Sequence, residues 1–166
     1  LSIKLFQALS AALDLVPDRR VIVSDTGNFP SDLYMADGLI ALKDKGYILR
    51  LVEPDQVADA LDDTVAALML TEVDYRTGSR HDIRPLTAKA HAVGAQTVWD
   101  LAHSAGAIDV DLSACGCDFA VGCTYKYLNA GPGAPAFIYV RPDIVDTVKP
   151  ALSGWLGHDV PFAFER

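Results

Sequence analysis

Three residues whose types could do covalent chemistry fall at the ends of apolar runs. Asp100 closes "TVWD", His103 follows three positions later in "WDLAHSAG" (99–106), and Lys126 lies between two tyrosines in "GCTYKYLNAGPG" (122–133). An aspartate ending an apolar strand costs desolvation free energy unless a cation or a set of donors meets it. Taken singly, each has an ordinary reading. The acid suits a turn or cap, and the lysine suits a chain that snorkels to the surface. What separates them from that reading is where the surrounding elements would put them.

The spacing of Ile3, Phe6, Leu9 and Leu13 predicts an amphipathic opening helix. "RVIVSD" (20–25), "YILRLV" (47–52), "TVAALMLTEV" (64–73), "AQTVWD" (95–100), "CDFAVGC" (117–123) and "PAFIYV" (135–140) read as strands. Between them, 30–46 reads as a helix with Ser31 as N-cap and Gly46 as its stop. Further helices are expected from Pro54 to about Leu61, over 83–94 ended by Gly94, and over 142–150 between prolines. Strands apolar on both faces, alternating with helices, predict one α/β domain with a mostly parallel sheet covered by helices. In such sheets ligands sit beyond the carboxyl ends of the strands. Thr71, Asp100 and the stretch 124–126 all fall on that rim, so the polar residues converge.

Composition narrows the partners. The chain has 166 residues, 51% apolar and 22% charged, with net charge −8. That excess of acid argues against nucleic acid and anionic membrane, which need clustered Lys and Arg. No apolar run approaches the roughly 20 residues that span a bilayer. Three cysteines, Cys115, Cys117 and Cys123, fall within nine positions without a second ligand pair. They read as reduced thiols of a cytoplasmic protein rather than a metal site. His81 and His91 are expected on a solvated helix surface. The chain begins in helical periodicity without Met and stops at "FAFER", so it is expected to be an interior piece of a longer protein.

An acid and a lysine amine on one rim suit pyridoxal phosphate. That cofactor needs a lysine for its Schiff base and a carboxylate to keep its pyridine nitrogen protonated, so the ring accepts electrons. It also needs an aromatic to stack on the ring, which Phe29 could supply. Phosphate donors are needed too, which Ser2 could supply beside free backbone N–H groups at a helix start.

"FPSD" (29–32), "WDLAHSAG", "GCTYKYLNAGPG" and "LSGWLGH" (152–158) together resemble kynureninase, a fold-type I, class-V-aminotransferase-like pyridoxal-phosphate enzyme. The likeness covers nearly the whole chain in the right order. It implies the three-layer αβα large domain of that fold, with residues 1–166 as the cofactor-binding part of an enzyme more than twice as long. Lys126 would then hold the cofactor and Asp100 would pair with its ring nitrogen. His103 and Thr71 would lie near its phenolic oxygen. Phe29 would stack on the ring, with Pro30, Ser31 and Asp32 completing that wall. Tyr125, Leu1 and Ser2 match positions around the phosphate, and Trp155 matches a tryptophan that reaches a phosphate across a homodimer interface. Tyr125 is also a candidate proton relay.

The implied reaction is hydrolysis of L-kynurenine or 3-hydroxykynurenine to an anthranilate and L-alanine, in tryptophan catabolism. The arginine expected on the substrate carboxylate and an asparagine near the phosphate would lie past residue 166. Cysteine desulfurases and aminotransferases share the fold and remain the alternative. Desulfurases typically place a histidine directly before the lysine, where this chain has Tyr125, and "GWLGH" favours kynureninase. A nucleotide-binding domain would need a glycine-rich loop that "SDTGNFPSD" does not supply.

Overall fold

The six apolar runs pair into one sheet in the order β2-β1-β3-β4-β5-β6. The computed structural model describes residues 1–165. The strands are β1 (Val21–Asp25), β2 (Ile48–Val52), β3 (Val65–Thr71), β4 (Gln96–Asp100), β5 (Phe119–Cys123) and β6 (Ala136–Val140). All neighbours run parallel except β6, which is antiparallel to β5. The helices are α1 (Ser2–Leu15), α2 (Pro30–Lys43), α3 (Ile83–Ala92) and the short α4 (Leu112–Cys115). The expected mostly parallel α/β sheet is the observed one.

The two-sided apolar character of the strands has a direct cause. Alternate residues of a strand face opposite ways, and both faces are covered. Val98, Phe119 and Val121 join the core under α1 and α2, with Leu5, Leu9 and Leu13. Trp99, Ala120 and Leu70 join the core under α3, with Ile83 and Ala90. The indole N–H of Trp99, fully buried, donates to Thr87 Oγ1 at 3.1 Å. Burying a side chain of this kind stabilises by about 1.5–3 kcal/mol, so the central strands are the most firmly placed part of the domain. The site lies at their ends.

Four local expectations are corrected. Ser31 is not the N-cap of α2: Pro30 takes the first helical position, where a missing N–H costs nothing, and Phe29 caps. The helix stops at Lys43, with Asp44 rather than Gly46 in the left-handed cap conformation, at φ 46°. Pro54 opens only a single 3-10 turn, Pro54–Gln56. Residues 142–150 form successive turns rather than a helix. There the Ile144 carbonyl accepts from the Thr147 N–H at 2.9 Å, the Val148 N–H at 3.3 Å and the Thr147 hydroxyl at 2.7 Å, and the backbone bonds do not continue into a helix. The short α4 was missed; Asp111 caps it by accepting from the Ala114 N–H at 2.9 Å.

At the amino end of the sheet one buried acid ties the last three layers together. Asp118 has no exposed surface and accepts four hydrogen bonds. They come from Thr97 N (2.8 Å), Thr97 Oγ1 (2.9 Å), His91 Nε2 (2.8 Å) and Arg141 Nη1 (2.6 Å). His91 is therefore not a merely solvated helix residue, because its ring joins α3 to the start of β5. Arg141 brings in the end of β6. Removing the carboxylate leaves the buried Thr97 donors without their acceptor and Arg141 paired only with Asp143 outside the sheet. Asp118→Ala is expected to lower the unfolding free energy by about 3 kcal/mol. Urea unfolding would read this as a lower midpoint at unchanged slope, and a loss below about 1 kcal/mol would contradict the role given to Asp118.

Candidate active site

Parallel pairing brings the strand ends level. Thr71 is the register partner of Asp100, and Asp100 is the partner of Val121 two residues before Cys123 ends β5. Beyond Asp100 the strand's hydrogen bonds continue one step, from Leu101 N to Val121 O at 2.8 Å. The chain then makes one tight turn, with Ser104 and Ala105 N–H groups returning to the Leu101 carbonyl. That turn swings His103 over the rim. It can approach the loop after β5 because of Gly106, at φ 86°: a Cβ there would stand 2.7 Å from the Tyr127 carbonyl oxygen. The loop itself closes through Ala130 N to Thr124 O at 3.0 Å, and Thr124 Oγ1 donates to Pro135 O at 2.6 Å. Lys126 sits at its crest.

A cavity of about 230 Å³ opens at this point, lined by Leu1, Ser2, Phe29, Ser31, Asp100, Ala102, Cys123, Tyr125 and Lys126. Lys126 Nζ donates to His103 Nε2 at 2.6 Å and lies 5.8 Å from the Phe29 ring centre and 5.7 Å from that of Tyr125. Asp32, in the first turn of α2, is wholly buried with both carboxylate oxygens lacking a donor, and it lies against Asp100. Asp100, 2% exposed, accepts the Ala102 N–H at 2.7 Å. Burial, then the neighbouring Asp100, push the Asp32 carboxyl up to about 8. Asp100 is raised as well, again by burial, against the opposing pull of the Ala102 N–H and Lys126. Burial thus favours the protonated form of both acids, and the closeness of Asp100 adds to the effect on Asp32. Burial first, and then the Lys126 charge, hold His103 below its ordinary value, with Asp74 pulling the other way.

Of the residues expected at a site, Leu1, Ser2, Phe29, Ser31, Asp100, Tyr125 and Lys126 line one cavity. Asp32 and His103 touch two of these through their side chains. Pro30 starts α2 between Phe29 and Ser31. Thr71 does not line this cavity: its Oγ1 donates to Asn28 Oδ1 at 2.5 Å, and the residue lines the neighbouring cavity instead. Trp155 stands apart: it is 65% exposed and packs on Phe162 and Phe164, with ring centres 5.6 and 6.5 Å away.

Sequence reasoning missed Asn28 and Tyr75. The buried Asn28 accepts the Phe29 N–H at 2.7 Å and donates to Ser24 Oγ at 2.9 Å, so it sets the entry to α2. Its signal was an amide directly ahead of "FPSD". The Tyr75 ring centre is 5.0 Å from that of Phe29 and 6.2 Å from that of His103, which makes one aromatic wall. An aromatic in an otherwise polar turn was its signal.

A larger cavity of about 370 Å³ lies alongside, over the ends of β1 and β3. Its charges are mostly paired: Asp74 with Arg76 at 3.1 Å and the buried Asp25 with His81 Nε2 at 2.5 Å. His81 is thus a second correction, since it precedes α3 and its ring turns inward to a strand-end acid. No lysine lines this cavity. The smaller one holds the only nucleophilic amine of the pair. Among the described residues, no group of three or more His, Cys, Asp or Glu side chains is placed to hold a metal ion, and the three cysteines are free. No helix among them is long and apolar enough to cross a membrane.

A parallel sheet with an antiparallel last strand, carrying its lysine and acids on the carboxyl rim, defines a class of enzyme fold, and the comparisons place the chain in it. Residues 40–160 match the family Aminotransferase class-V, and the chain belongs to that family. It is 54% identical to the kynureninase of Pseudomonas fluorescens over 99% of its own length and 41% of that protein's. The kynureninase of Deinococcus radiodurans is likewise 54% identical, over 99% of this chain and 40% of that one. The chain thus spans about two fifths of these relatives. Among solved structures, a cysteine desulfurase from Thermococcus onnurineus NA1 superposes with TM-score 0.75 at 23% identity, over 92% of this chain and 40% of that one. A C-DES mutant whose cofactor is described as PLP superposes with TM-score 0.79 at 17% identity, over 93% and 42%. At such identities these two establish the fold alone.

The buried acid pair makes a pH prediction. A carboxyl raised from 3.8 to about 8 binds its proton more tightly in the folded state. Its contribution to stability is therefore full at low pH and is lost as pH rises across that interval. Asp32→Asn should flatten that part of the cofactor-free protein's stability profile, measured by chemical unfolding at a series of pH values. Parallel profiles for the two proteins would remove Asp32 as its source.

Proposed function

We propose that the chain is the cofactor-binding part of a pyridoxal-phosphate-dependent hydrolase that cleaves the Cβ–Cγ bond of L-kynurenine, or its 3-hydroxy form, to an anthranilate and L-alanine. One observation carries the reading: Lys126 and the buried Asp100 line a single cavity, and against Asp100 lies Asp32, both of whose carboxylate oxygens lack a donor. A pyridinium N–H is a donor such a pair lacks, so the residues fit the cofactor. When bound, pyridoxal phosphate supplies a ring that withdraws electrons from the substrate α-carbon. Identity above half to kynureninases over almost the whole chain supports the substrate.

The chain's own residues then have distinct tasks. Asp100 would hold a positive charge at the ring nitrogen, with Asp32 behind it. Phe29 covers one ring face. Leu1 and Ser2 offer unpaired N–H groups at the start of α1, which with the Ser2 and Tyr125 hydroxyls suit a phosphate. Thr71 and His103 flank the ring's oxygen side. Lys126 carries the cofactor and, once released, removes the substrate's α-proton. Borohydride reduction of the full-length protein with pyridoxal phosphate, followed by peptide mapping, should label Lys126, and the same protein should release anthranilate from L-kynurenine. Label on Lys89 or Lys149, or no anthranilate, would end the proposal.

We further place the enzyme in the cytoplasm as a homodimer with shared sites. The free cysteines favour a reducing compartment. The exposed Trp155 suits an indole donor to the partner's phosphate, worth about 1.5–3 kcal/mol, so Trp155→Phe should weaken cofactor affinity about ten- to a hundred-fold. Mixing Trp155→Phe with Lys126→Ala subunits should restore activity, because a heterodimer gathers both defects into one site. No recovery in verified heterodimers would put Trp155 in its own subunit's site.

A further inference from the structure

A lysine that is to bond to an aldehyde must first lose a proton. In water a lysine amine is cationic at neutral pH, and an ammonium nitrogen has no electron pair to give. Among the described residues, Lys126 Nζ has one hydrogen-bond partner, the Nε2 of His103 at 2.6 Å. We infer that His103 is the base that takes this proton, which makes it a catalytic residue for attaching the cofactor and for each re-attachment after turnover. The inference rests on the assignment of Lys126 above and adds a role for the residue beside it.

The surroundings of the pair support transient rather than permanent proton capture. Nε2 accepts from Lys126, so the ring hydrogen sits on Nδ1, which is buried and meets no acceptor. An imidazolium at this place would gain no second hydrogen bond, and burial and the Lys126 charge both disfavour it. A proton taken there is readily returned. The groups facing the pair are Asp74 and Tyr75 from the turn after β3, Phe29 from the head of α2, Asp100 from β4 and Asp32 from α2. Asp74 favours the charged imidazole, though not enough to reverse the effect of burial. Neither buried acid is within hydrogen-bond distance of Lys126 Nζ, whose one partner among the described residues is His103.

The step balances without a further reagent. One Nζ–H bond of the ammonium breaks, its electron pair stays on nitrogen, and the proton moves to Nε2. The pair then bonds to the aldehyde carbon of pyridoxal phosphate while the carbonyl pair moves to oxygen. That oxygen collects one proton from the nitrogen and one from His103, and leaves as water. The nitrogen keeps its third hydrogen and the positive charge.

The test uses the full-length protein freed of cofactor and mixed with pyridoxal phosphate, with the visible absorbance followed across a pH series. His103→Gln keeps a polar partner but accepts no proton. Attachment in that variant should be about a hundred-fold slower at neutral pH, the lower end of what a positioned base contributes. The deficit should close toward parity in alkaline solution, where a lysine sheds its proton unaided. In His103→Ala, added imidazole should restore the rate at neutral pH. A deficit equal at every pH, or no response to imidazole, would leave His103 a merely structural contact and overturn the inference. Borohydride mapping of the wild-type product separates the two readings. Label away from Lys126 removes both, whereas label on Lys126 with a pH-independent deficit removes only the role of His103.

Discussion

Two carboxyl groups side by side in a dry place, met by a single backbone N–H, are the constraint around which this site is arranged. Asp32 lies against Asp100 because α2 starts at Pro30, which puts Asp32 in the first turn of the helix. Asp100 reaches the cavity because β4 lies in register between β3 and β5. Burying a carboxyl without donors is costly, and packing alone does not offset it. The fold tolerates the pair by leaving one acid neutral and giving the other a backbone N–H. That arrangement is incomplete by design of the surroundings, and a cation brought to it gains what the protein has withheld.

The rest of the rim answers to that pair. Lys126 lowers both acids, and after burial its charge also pulls His103 down. The Phe29, Tyr75 and His103 rings wall off the same space. Charge and shape therefore act together: each ionisable group is set by a neighbour that another strand end delivers. At the amino end of the sheet the opposite holds. Asp118 is as buried as Asp32, yet four donors surround it, and it has no partner left to seek. The contrast separates a structural acid from a poised one.

Much of this was legible in the residues. Runs such as "TVAALML" and "FAVGC" announced strands covered on both faces, and punctuation by Gly94 and the prolines marked most boundaries. Asp100, Lys126 and Phe29 could be placed on one rim because strand ends fix where a chain leaves the sheet. What stayed hidden depended on long-range pairing. Nothing near His81 or His91 in the chain points to Asp25 or Asp118, which lie 56 and 27 residues away. Asn28 acts through a bond to Thr71, 43 residues on. The turns within 142–150 could not be told from a helix in the residues, because prolines bound either kind of segment.

The level register of Thr71, Asp100 and Val121 also bears on how the chain comes to be right. Side chains alternate across a strand, so a slip of one residue between β3 and β4 would send Asp100 to the opposite face. The hydrophobic pattern resists such an error only weakly here, because both faces of these strands are apolar. Parallel pairing is also non-local and slow to form. A molecule that binds only when acid, lysine and aromatic meet therefore discriminates among otherwise similar folded states. With the function proposed above, cofactor capture would withdraw correctly paired chains from the pool by mass action, and so act as quality control on assembly.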